Sequence, residues 1–233
     1  MDEHVGAFQQ DPAVTCQFVR DGPVVGATVL AHMGKLERAR ALAAVVGDPR
    51  ADLDSASAWQ ARFATASGDP ETARRISADK ANERRLYGPQ HAMALLEALV
   101  AMEDWPSVAE LLPLARANVV GNALLAPYCD RAEGLAHAQA GRANDATRAL
   151  RRALAHFERL GVPFEAARTR EHLAAVAPPS AALPLLEAAL STYERLDAVP
   201  HQRAVRTVIR QLRIGDLEID RLRTRRPEVL EPD

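Results

Sequence analysis

Cys129, Glu133 and His137 stand four residues apart in turn, a spacing that sets three side chains on one face of a helix. A thiolate, a carboxylate and an imidazole in that pattern could hold zinc, but a closed site needs a fourth ligand and none is found at matching spacing. No metal is expected. Glu133 falls where the surrounding register places an apolar core residue. A carboxylate there must pair, protonate or reach water, and a salt bridge to a neighbouring arginine is the expectation. Nothing else points to catalysis. The seven histidines form no metal-protease pattern, and neither a Gly-x-Ser-x-Gly elbow nor a Gly-x-x-x-x-Gly-Lys-[Ser/Thr] phosphate loop occurs. The chain reads as a non-enzyme without a cofactor.

The sharpest charged feature is an arginine stripe on a final helix from about 201 to 214. Arg203, Arg206, Arg210 and Arg213 share one face, while Val205, Val208, Ile209 and Leu212 share another. Residues 201–226 hold eight arginines against Asp216, Glu218 and Asp220. A basic amphipathic helix can bind an acidic partner, but its ordinary role is a solvated outer face on a capping helix. The chain as a whole carries a net charge of −2, and no aromatic residues are interleaved with the stripe, which argues against nucleic acid.

These side chains must be positioned by helices. Hydrophobic residues make up 48% of the chain and aromatics only 4%, an alanine- and leucine-rich balance that favours close-packed helices. One turn recurs: Gly34 to Ala39, Gly68 to Ala73, Glu103 to Val108, Gly141 to Ala146 and Ala177 to Ala182. Its first residues are 34, 35, 38 and 36 positions apart. A fixed period in this range marks stacked helix pairs. At Gly68-Asp69-Pro70, Asp69 is expected to cap the next helix, with Pro70 at its first position. The small residue five places into each turn lies where paired helices come closest. Residues 153–160 and 189–196 also match at five of eight positions, an offset of 36. Pro127 and Gly121, inside the longest interval, mark the expected departure from regularity.

The turn glycine, the following alanine and the period resemble tetratricopeptide repeats, and Gly134 matches that family's mid-helix glycine. Segments such as Arg131–Ala136 and His156–Arg168 are further similar to the repeat-rich C-terminal regions of bacterial LuxR-type ATPase regulators and ATPase-linked class III adenylyl cyclases. The resemblance implies an all-α, right-handed α-solenoid of about five helix-turn-helix repeats over 13–214. An extended or disordered segment (1–12) would precede it and a charged tail (215–233) follow. It also implies ligand binding along the concave face, and places Arg62, Met93, Glu97, Tyr128, Arg131, Gln139, Phe164 and Glu171 toward that groove.

The expected function is protein–protein interaction in bacterial regulation, with a peptide or helix in the groove. The alternative is a small-molecule-sensing regulatory domain, and a third reading is a self-assembling module, since exposed apolar repeat ends associate. The acidic start lacks a signal peptide's basic region, the longest early apolar run is too short to span a bilayer, and two distant cysteines make no disulfide framework. A cytoplasmic location with no membrane partner is expected.

Overall fold

The computed structural model describes residues 17–46, 54–81, 88–119 and 122–224. The predicted N-terminal segment 1–12, Cys16 and Gly121 lie outside the described residues. Eleven α-helices and no strand are found among those described. In chain order they are α1 (Gln17–His32), α2 (Leu36–Ala43), α3 (Asp54–Ala66), α4 (Pro70–Ser77), α5 (Gly88–Ala101) and α6 (Trp105–Ala117). Then come α7 (Leu125–Gln139), α8 (Ala143–Arg159), α9 (Pro163–Val176), α10 (Pro179–Arg195) and α11 (Val199–Thr224).

Local chemistry explains most of the helix ends. Gly34, Gly68, Gly141 and Gly161 all take positive φ, and so do Glu103 (56°) and Asp197 (53°). At each of these six positions two backbone N–H groups turn back to carbonyls of the helix just ended. At Gly68, for example, its own N–H donates to Thr65 O and that of Asp69 to Ala64 O. This closure satisfies carbonyls that a helix end would otherwise leave bare. Asp69 then accepts from Thr72 N at 3.1 Å, and Asp104 plays the same part for Ser107 N. The fifth copy differs: Ala177 is extended (φ −90°, ψ 155°), and the chain enters α10 through Pro178 and Pro179 instead.

Left-handed backbone costs an L-residue roughly 1–2 kcal/mol, which glycine avoids. Glu103 stands where three sister turns have glycine, so Glu103→Gly is expected to raise stability by about 1 kcal/mol. Gly68→Ala should lower it by a similar amount, because an added Cβ meets nothing within 4 Å and only the backbone is strained. Urea midpoints of the two variants, displaced in opposite directions, check this; a loss in both would show that Glu103 is held by something other than its backbone.

Core packing follows the turns. Ala39, Ala73, Val108, Ala146 and Ala182, the small residues of the five turns, are all buried. Gly134 has a separate reason to be small, since a Cβ there would lie 2.6 Å from Leu150 Cγ where α8 crosses α7. Each helix packs on its chain neighbour through most of the molecule, and α1 touches α3, α3 touches α5, α5 touches α7 and α7 touches α9. The last helix also meets the first. At that seam Lys35 pairs with Asp197 at 2.9 Å, Pro200 packs against Gly34, and His32 lies against Phe164 and His201. The odd-numbered helices thereby form a layer that closes on itself.

The final helix departs from expectation. It runs unbroken from Val199 to Thr224 rather than ending near 214, passing through Gly215. Val205 and Ile209 bury as predicted, but Val208 is 42% exposed. Two of the stripe arginines are paired across to α10, Arg206 with Glu194 and Arg213 with Glu187.

Candidate functional site

The repeat places chemically matched positions on successive inner helices. Thr28, Arg62, Glu97, Arg131, Glu165 and His201 lie on α1, α3, α5, α7, α9 and α11, separated by 34, 35, 34, 34 and 36 residues. The middle four alternate in sign, and the closed layer brings them together. Arg62 Nε donates to Glu97 Oε2 at 2.9 Å, and its Nη2 donates to the Tyr128 hydroxyl at 2.6 Å and reaches Glu165 Oε1 at 3.4 Å. Arg131 Nη1 donates to Glu165 Oε2 at 2.5 Å, and its Nη2 is 3.6 Å from Glu97. Arg168, one turn along α9 from Glu165, donates from Nη1 to Glu97 Oε1 at 2.9 Å and to Glu165 Oε2 at 3.4 Å. Arg131 and Glu165 are each only 5% exposed. The Arg131 guanidinium also lies over the rings of Tyr128 and Phe157, and that of Arg62 over Trp59 and Tyr128.

Charge survives in this partition because partners outweigh desolvation. Burial alone would neutralise Glu165, but Arg131, Arg168 and Arg62 hold its carboxyl well below the usual range. Burial likewise opposes the Arg62 and Arg168 cations, and the facing carboxylates keep them protonated. Three histidines around the partition behave in the opposite way. Burial, aided by Arg168, lowers His32 and His201 to about 4. Burial with Arg131 and Arg168 lowers His172 to about 3. All three are neutral at pH 7.

One side of the partition faces an apolar cavity of about 350 Å³. Val25, Trp59, Tyr128, Val162 and Ala198 line it, each three residues before one of the positions above and so one layer over on the same inner face. Thr28, His32, Arg62 and Glu165 supply polar lining beside them. Val29, 53% exposed, sits at the rim.

Of the residues assigned from sequence, Arg62, Glu97, Tyr128 and Arg131 are brought into direct contact. Phe164 lines the apolar cavity and is in ring contact with His32, Tyr193 and His201. Glu171 accepts a hydrogen bond from the Tyr193 hydroxyl, and burial pushes its carboxyl above the ordinary value. Met93 is 3% exposed and belongs to the core cluster that also holds Leu96 and Tyr128. Gln139 is exposed near the end of α7, away from the partition. Glu165, Arg168 and His32 were missed, although stepping one period on from Arg131 leads to Glu165.

The candidate metal triad serves other ends. Glu133 is paired with Arg116 at 2.8 Å and Arg152 at 2.7 Å, the salt bridge expected, although it is partly exposed and not a core residue. Buried Asp130 joins the same arginines. Cys129 is buried and its thiol is pushed up to about 11, chiefly by burial, so it carries no thiolate at neutral pH. His137 Nδ1 accepts from Arg142. No helix among the described residues is long and apolar enough to cross a membrane.

Compared with protein-family models, curated proteins and solved structures, the chain matches none of them.

Proposed function

We propose that the chain is a right-handed, tetratricopeptide-like α-solenoid of about five repeats that acts as a small-molecule-sensing domain in bacterial regulation, not as an enzyme. The observation that carries this reading is the apolar cavity against the charged partition. Its volume lies within the range of about 300–1,000 Å³ usual for ligand pockets, and its lining has the usual balance of apolar surface with a few polar groups. A peptide or helix laid along the inner face would have to displace the Arg–Glu partition. A small ligand enters beside it. The cavity also draws its lining from α1, α3, α7, α9 and the segment leading into α11, so an occupant touches both ends of the repeat array. Differential contact of that kind can shift a curvature equilibrium, which is what a sensor requires.

Dansylamide, an uncharged apolar fluorophore, is a suitable probe. It is expected to bind saturably at one site with a blue-shifted emission, and Val29→Trp at the rim should weaken it at least about tenfold by filling the entrance. Absence of saturable binding, or binding unchanged in Val29→Trp, would sink the proposal and return the peptide groove to first place.

A further inference from the structure

The apolar cavity does not end the space inside the ring. A smaller one of about 200 Å³ shares Thr28, His32 and Arg62 with it and adds Glu97, Arg168 and His201. Arg168 lines this space and a third, of about 250 Å³, beside Arg131 and His172. Among the five ionised groups of the partition Arg168 is the most exposed, at 24%. Both of its hydrogen bonds to carboxylates leave from one nitrogen, Nη1, so its planar fork is only partly used.

Charge is unbalanced at this point. Three guanidinium groups face two carboxylates, and the excess positive charge falls on the arginine with the loosest pairing. Among the described residues Arg168 is ion-paired with no carboxylate besides Glu97 and Glu165. His32, His172 and His201 are held neutral. Glu171 makes no ion pair with the three arginines; burial raises its carboxyl above the ordinary value, while the hydrogen bond from the Tyr193 hydroxyl and the charge of Arg168 pull it down. Lys35 and Asp197 cancel each other at the seam.

A partly used, partly exposed guanidinium beside an apolar cavity describes one kind of ligand. We infer that the site takes an amphipathic monoanion, with its apolar body in the larger cavity and a carboxylate set against Arg168 in the smaller. A carboxylate matches the guanidinium fork in two-point geometry. A dianion would reverse the excess and meet Glu97 and Glu165. This assignment rests on the binding reading above and deepens it.

Dansylglycine and dansylamide test it as a matched pair, one with a carboxylate and one without. In the unmodified protein dansylglycine is expected to bind about tenfold more tightly, the ordinary worth of a hydrogen bond to a charged group. Arg168→Met should abolish that preference, so that the two probes bind with equal affinity. The pairs left in that variant are short in the unmodified protein (Arg62–Glu97 2.9 Å, Arg131–Glu165 2.5 Å), so the fold should stand, as circular dichroism would verify. Competition in the unmodified protein gives an independent arm: octanoate should displace dansylamide well below the concentration at which octanamide does. Equal affinity of the two dansyl probes, equal competition by the two octanoyl compounds, or a preference that survives Arg168→Met would overturn the monoanion and leave the binding site standing. Failure of both probes to bind would overturn the site itself.

Discussion

Replacing Arg131 by methionine is expected to destabilise the protein by about 3–5 kcal/mol in urea unfolding, the usual cost of removing one partner of a buried ion pair. The geometry explains why this arginine matters more than its neighbours. It makes the shortest contact of the partition, 2.5 Å to Glu165, and it reaches Glu97 as well. Once it is gone, the nearest cations to Glu165 are Arg62 and Arg168, both at 3.4 Å. A carboxylate that is 5% exposed would then be poorly compensated. The two arginine-to-methionine variants are therefore predicted to separate: Arg168→Met folds and loses anion preference, Arg131→Met loses stability. Adding Glu165→Gln to Arg131→Met should cost less than the sum of the single changes, because the second substitution removes the stranded charge. Additive costs, or a loss under about 1 kcal/mol for Arg131→Met, would show that water reaches the partition and screens it.

Acid is the second strong lever. A group whose folded pKa lies below its unfolded value contributes stability that is complete above the unfolded value and lost as pH falls through the folded one. His32 and His201 titrate near 6.5 when free and near 4 when folded, and His172 near 3. Stability should thus begin to fall below about pH 6.5, with a slope of up to about 1.4 kcal/mol per pH unit for each histidine. Protonation of His32 and His201, with ring centroids 5.6 Å apart at the seam, would set two cations beside Arg168. The carboxylate facing all three histidines is Glu165, joined by Glu97 opposite His32. Glu165 is itself depressed and adds its own loss only below the ordinary carboxylate value of about 4.3. The acid limb therefore has two steps, histidine first. Thermal melts between pH 7.5 and 4.5 should show a steep fall that the triple change His32→Gln, His172→Gln and His201→Gln flattens. A transition temperature constant down to pH 5 would mean that the histidines are open to water.

Much of this arrangement was legible in the residues. The helical class, the capped turn at Asp69–Pro70 and the buried small residues all followed from spacing, since local turn chemistry and the repeat period agree there. Arg62, Glu97, Tyr128 and Arg131 were placed toward one groove by the resemblance to tetratricopeptide repeats. Phe164 was chosen beside them, and the true successor, Glu165, is one residue further. Counting a strict 34 from Arg131 finds it, and the alternation of sign from Arg62 onward was the signal that a charged residue belonged there. The meeting of α1 with α11 was beyond sequence reasoning. It joins helices from opposite ends of the described chain, so the contact between His32 and His201 becomes visible only in three dimensions.

Energy transfer from Trp59 to bound dansylamide tests the central claim most directly. The chain has two tryptophans; Trp59 lines the apolar cavity, and Trp105 packs against the core at the start of α6. Saturable transfer is expected in the unmodified protein, largely lost in Trp59→Phe and retained in Trp105→Phe, which would put the probe inside the ring beside the Arg–Glu partition. Transfer that persists in Trp59→Phe and vanishes in Trp105→Phe would place the probe elsewhere and contradict the account.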